Sequence, residues 1–136
     1  MHDRLRRWVP VVAALLGGLA VAMGAFGAHL LAGSGETRAA ELVETASRYQ
    51  LAHAIAALVA GTLRPERLAG RLAFLVGAVL FPGSLYALAL GLPRGVATLA
   101  PVGGTLFLVG WVLLAIDLAR DRRTGPEPTS GGHPRP

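Results

Sequence analysis

Uncharged apolar runs alternate with short arginine-bearing segments along the chain. No ionised side chain occurs from Trp8 to Gly35, from Leu72 to Pro93 or from Gly95 to Ile116, and a shorter uncharged run covers Tyr49 to Leu63. A helix needs about 20 predominantly apolar residues to cross a hydrocarbon core, and each of the three long runs supplies them. The pattern predicts four spans, at about residues 8–32, 45–63, 68–92 and 98–118.

The segments between the runs predict how the spans connect. Gly33-Ser34-Gly35 breaks the first helix; Ser34 suits the N-cap of the next, and Glu36 suits its positive dipole end. From Glu36 to Arg48 the pattern is amphipathic. Leu42, Ala46, Tyr49 and His53 recur at spacings of four, three and four and share a face. Glu41, Glu44 and Arg48 lie on other faces, with Glu44 and Arg48 one turn apart as a favourable pair. An amphipathic helix at the outer interface that runs into span 2 without a break explains the short second run. Arg64-Pro65-Glu66 reads as a stop and restart, and Gly91 to Gly95 as a turn. Such short loops force antiparallel neighbours. The expected fold class is therefore all-α, an antiparallel integral membrane four-helix bundle over residues 1–120. Residues 121–136 hold seven glycines and prolines and no large apolar side chain, which predicts a disordered cytoplasmic tail.

Composition supports a membrane address. Over the 136 residues 53% are hydrophobic and 15% charged, against roughly 25% charged in soluble domains. The net charge of +5 comes from 13 basic residues, all arginine. They sit at the edges of the apolar runs, where they anchor helix ends, and not in a stripe interleaved with aromatics, so no nucleic-acid partner is expected. The chain has no cysteine, which rules out disulfides, thiolate metal sites and cysteine nucleophiles. The first run is nearly twice the length of a secretory h-region and is expected to be a retained span, although Ala25-Phe26-Gly27 has the small residues that signal peptidase favours. Nine arginines (4, 6, 7, 64, 67, 71, 120, 122 and 123) flank one side of the spans and three (38, 48 and 94) the other. The positive-inside rule then predicts an inner-membrane protein with both termini cytoplasmic.

Helices in lipid gain nothing from hydrophobic burial against each other, so small residues that allow close approach carry the packing. Gly17, Ala20, Gly24 and Gly27 form one stripe on span 1, Gly83, Ala87 and Gly91 one on span 3, and Gly103 and Gly110 one on span 4. These nine positions are the expected helix-packing residues, within one chain or between copies.

Polar groups inside spans are costly and are the default candidates for function. The candidate cluster is His29, Tyr49, Gln50, His53, Ser84 and Tyr86, which the threading gathers into the outer half of the bundle; Thr105 on span 4 is a further polar position. Pro82 is expected to kink span 3, and Pro101 to start span 4 or break its first turn, which together suggest a small cavity opening outward. Two histidines without carboxylate or cysteine support fall short of a metal site, so neither a metal nor a cofactor is expected. Asp117 is expected to pair with Arg120 at headgroup level. The chain contains no nucleophile–base arrangement, paired carboxylates or phosphate loop, so it is not expected to be an enzyme.

Five segments in order carry a resemblance: Gly24-Ala25-Phe26-Gly27-Ala28-His29, Tyr49-Gln50-Leu51-Ala52-His53, Pro82-Gly83-Ser84-Leu85-Tyr86, Pro101-Val102-Gly103-Gly104 and Gly110-Trp111. Over residues 8–120 the chain resembles the domain-of-unknown-function-423 (YgdD-like) family of small four-span inner-membrane proteins, departing from its pattern at Pro82. The resemblance implies four transmembrane helices and assigns His29 and His53 to the family pattern, and it implies no particular activity. The function expected is that of a small non-enzymatic polytopic membrane protein acting through helix packing, as an accessory subunit of a membrane complex. Its partners would be the lipid bilayer and either a second copy or another membrane protein. The alternative is a transporter or channel component with an outward-facing polar cavity.

Overall fold

The computed structural model describes residues 2–31 and 33–121, which include no strand. Helix α1 (His2–Phe26) continues into a π-helical turn at Gly27–Leu31; α2 is Thr37–Leu63, α3 is Ala69–Ala89, and a 3₁₀ turn at Arg94–Thr98 leads into α4 (Leu99–Asp121). The expected tail at 121–136 lies outside the described residues apart from Asp121, the last residue of α4.

Three segments are long and apolar enough to cross a membrane: Arg7–Leu31, Ala69–Ala89 and Arg94–Arg120. Helix α2, alanine-rich with a charged first half, is not apolar enough by itself. Its 27 residues nevertheless span about 40 Å at 1.5 Å per residue, long enough to run back along α1 and α3. A Cβ on Gly17 would touch Ala54 and Leu51, one on Gly24 would meet Ser47, and one on Gly27 would meet Val43. Rising positions on α1 thus meet falling positions on α2. The Gly61–Arg71 approach and the Gln50–Tyr86 bond run α2 and α3 antiparallel in the same way. Helices α1 and α3 are therefore parallel, and α2 runs antiparallel between them.

The deepest contact joins α3 to α4. An added Cβ on Gly103 would lie 2.4 Å from the Phe81 nitrogen; on Gly77 it would meet the Phe107 ring at 2.7 Å, and on Gly110 the Phe74 ring at 2.6 Å. The Phe107 and Phe74 rings fill the notches that Gly77 and Gly110 leave on the facing helix, and at Gly103 the Phe81 backbone itself comes close. The apolar core concentrates toward the arginine-rich end, with Val9 and Ala13 of α1, Ala56, Ala57 and Ala60 of α2, Phe74, Leu75 and Ala78 of α3 and Phe107 and Leu114 of α4.

Several expectations need correction. The α3 seam is Gly70 and Gly77 rather than Gly83, Ala87 and Gly91. Gly83 is exposed with nothing within 4 Å of an added Cβ, because it lies round the helix from the Gly70–Gly77 stripe that faces α4. Ala87 is half-buried, and its carbonyl accepts the Leu92 N–H in the helix cap. Gly91 has φ +80°, and the bonds Gly91 N–H to Leu88 O and Leu92 N–H to Ala87 O make it the left-handed residue of a Schellman cap. Ser34 caps no following helix: its hydroxyl donates back to Leu31 O, and the residue before α2 is Glu36. Pro82 lies inside the continuous helix α3, and Pro101 falls in the first turn of α4, as its expected place at the start of span 4 required, where its missing N–H has no partner to lose. Asp117 faces Arg67 and not Arg120, with Arg67 Nε 3.7 Å from its carboxylate and Arg64 donating to its backbone carbonyl at 3.1 Å. Glu44 and Arg48 form the ion pair that their spacing suggested.

The notch geometry predicts that Gly103→Leu, whose side chain must displace backbone, destabilises the bundle by 1–3 kcal/mol or more. Gly83→Leu, pointing into open space, should change stability by less than about 0.5 kcal/mol. Thermal unfolding of the two variants in one detergent compares them directly.

Candidate functional site

The polar side chains meet around α2. Its buried stripe runs Val43, Ala46–Ser47, Gln50, His53–Ala54, Ala57 and Ala60, recurring every three or four residues. On this stripe Gln50 is 1% exposed and reaches both neighbours. Its Nε2 donates to Leu16 O of α1 at 3.1 Å, and its Oε1 accepts the Tyr86 hydroxyl of α3 at 2.8 Å. One side chain therefore ties three helices together.

One turn along, His53 lies in an aromatic stack. Its ring is 3.4 Å, centre to centre, from that of Phe107 and nearly parallel to it; Tyr49, Phe74 and Trp111 lie farther out. The Nδ1 of His53 is 2.8 Å from Tyr49 O. A carbonyl only accepts, so Nδ1 carries the proton and Nε2 is left as an acceptor. Nε2 receives the Trp111 indole N–H at 3.3 Å. Neutral His53 thus has both nitrogens engaged.

Tyr49 joins this site through its carbonyl and its ring beside His53, whereas His29 and Ser84 do not. His29 is exposed in the π-helical turn of α1, and no bond to His53 is present. Ser84 is buried, but its hydroxyl returns to Phe81 O one turn back at 2.7 Å, and the exposed Thr105 returns to Pro101 O at 2.8 Å. Tyr49 is exposed and leans on Phe81 at 4.9 Å. The expected outward cavity lined by His29, Gln50, His53, Ser84 and Tyr86 is replaced by a cleft of about 240 Å³ between α1, α2 and α3 at the end remote from the arginine clusters. Tyr86 is the one member of that set on its walls; Glu36 is its charged group. Helical crowding explains the difference, since Ser84 and His53 point into packed interfaces.

Phe74, Phe81, Phe107 and Trp111 were absent from the expected cluster. A signal for three of them stood in the sequence, because Gly70–Phe74, Gly77–Phe81 and Gly103–Phe107 each place a glycine one turn before a phenylalanine. Each ring sits beside a stripe that admits a partner helix. Among the described residues no three histidine, aspartate or glutamate side chains converge as metal ligands would.

The Gln50 bridge predicts a measurable coupling. Gln50→Ala and Tyr86→Phe should each cost about 0.6–2 kcal/mol, and the double variant less than their sum by roughly 0.5–1.5 kcal/mol, in unfolding titrations of the detergent-solubilised protein.

Comparison with known proteins gives this geometry a family. A family model described as a protein of unknown function, DUF423, matches residues 23–104. A UPF0382 membrane protein of Haemophilus influenzae is 42% identical over 106 residues, covering 75% of this chain and 86% of the relative. The UPF0382 inner membrane protein YgdD of Escherichia coli K12 is 36% identical over 124 residues, 88% of this chain and 95% of the relative. A UPF0382 membrane protein of Staphylococcus epidermidis is 40% identical over 111 residues, 78% and 90% of the two chains. No solved structure matches. The matched segment contains the Gly24–Ser47 and Gly27–Val43 contacts of the α1–α2 seam, the Gln50–Tyr86 bridge and the close contacts at Gly77 and Gly103, and the chain belongs to the DUF423 family of UPF0382 membrane proteins.

Proposed function

We propose that this chain is a non-enzymatic multi-pass membrane protein that works through its packed helices, as an accessory subunit offering a helical surface to another membrane protein or to a second copy. The observation that carries this reading is the engagement of the internal polar groups. Gln50, Tyr86, His53, Trp111 and Ser84 all bond within the bundle, which favours holding helices in place over handling a solute. Helices α1 and α4 expose large apolar side chains such as Leu15, Val21, Leu108 and Val112, and such faces suit lipid or another helix. The transporter reading has less support, since His53 has no free nitrogen to offer a solute or proton, and four helices without an evident inverted repeat are few for a carrier. In this proposal both termini face the cytoplasm, as the nine-to-three distribution of arginines favours.

Purification in mild detergent followed by mass spectrometry tests the role. A stoichiometric partner or a defined multimer is the expected result, and a lone monomer would remove the basis for an accessory subunit. A reporter active only in the cytoplasm, fused after Pro136, should be active; a silent fusion alongside an active periplasmic reporter would reverse the threading.

A further inference from the structure

The geometry points to a binding site for an ammonium-headed amphiphile in the cleft of about 240 Å³ at the end of the bundle remote from the arginine clusters. This assignment does not depend on whether the chain has a protein partner. Three helices build the cleft: Met23 and Phe26 come from α1, Val43 from α2 and Leu90 from the end of α3, giving it apolar walls. Its polar lining is Glu36 and Tyr86.

Both polar groups are acceptors. Glu36 precedes α2, yet its side chain makes no capping hydrogen bond, and among the described residues it forms no ion pair. Its carboxylate is therefore available. Tyr86 commits its hydroxyl proton to Gln50 Oε1, so its oxygen has only lone pairs to offer a ligand. Glu36 also borders an adjoining cleft of about 410 Å³ that Arg38 lines, while Arg38 does not line this one. An apolar pocket whose charged group is a carboxylate, and whose tyrosine has no proton left to donate, selects a donor-rich cation on a hydrocarbon body. Anions are opposed by Glu36, and a single carboxylate supplies too few oxygens for a divalent metal ion. The volume is below that of most drug-sized pockets, which fits a small head with a short buried segment and its chain in the bilayer. A lipid ethanolamine headgroup and a free alkylamine share this chemistry.

The test uses the full chain in dodecyl maltoside at pH 7. Octylammonium chloride should raise the thermal midpoint more than octanol at equal concentration. Glu36→Gln, a surface change that leaves the core intact, should weaken octylammonium about fivefold, as expected for a partly exposed ion pair, and leave octanol unaffected. Ala89→Phe, at a half-buried position on the cleft wall, should abolish both responses while Glu36→Gln keeps the unperturbed stability as reference. Native mass spectrometry with phosphatidylethanolamine and phosphatidylglycerol separates the sources. Retention of the first lipid by the wild type but not by Glu36→Gln identifies a headgroup, and a response to octylammonium alone identifies a free amine. Equal responses to octylammonium and octanol, or wild-type octylammonium binding by Glu36→Gln, would overturn the inference.

Discussion

The bundle depends on phenylalanine rings seated in glycine notches between α3 and α4. Lipid tails are as apolar as the helix surfaces, so burial by itself gives the helices no reason to associate, and close contact has to supply the attraction. The Phe74 ring against Gly110 and the Phe107 ring against Gly77 hold the helices close, and at Gly103 the Phe81 backbone comes into direct contact. The same rings form the walls around His53, which packs against Phe74 and Phe107. The environment of the buried histidine is thus a consequence of how α3 and α4 meet.

Helix α2 occupies the opposite situation. It is the least apolar of the four, and its first half, with two arginines and two glutamates, would be a poor membrane segment alone. Flanked by α1 and α3, it turns a stripe of alanine, serine, glutamine and histidine inward, and the polar members of that stripe find partners there. Gln50 bonds to both neighbours and His53 to its own helix and to Trp111 of α4. Polar residues that would count against insertion instead set the arrangement of the helices, because an unmet donor in a hydrocarbon setting is expensive.

The two ends of the bundle differ in charge chemistry. At one end Arg64, Glu66, Arg67 and Asp117 interlock across the α2–α3 turn and α4, and the buried Arg71 lies against Gly61, whose missing side chain leaves it room. At the other end Glu36 stands at an apolar cleft with its carboxylate uncommitted. A ligand would find a surplus of arginine at the first end and the Glu36 carboxylate beside an apolar cleft at the second.

Helix number, order and antiparallel course were legible in the sequence, because charge placement and run length follow directly from the cost of charge in lipid. The α1 stripe of Gly17, Ala20, Gly24 and Gly27 was legible for a similar reason: regular spacing on a long helix defines a face. The spacing of Gly83, Ala87 and Gly91 was equally regular and misleading, since periodicity identifies a face without saying which neighbour it meets, or whether a glycine such as Gly91 serves a cap. The polar residues could be enumerated in advance, but their partners could not. Tertiary structure alone decided that Gln50 joins α1 to α3, that Trp111 completes His53 and that His29 stays outside. These pairings join residues 34 to 58 positions apart, and such separations are set by how whole helices rotate and interlock, which local pattern does not encode.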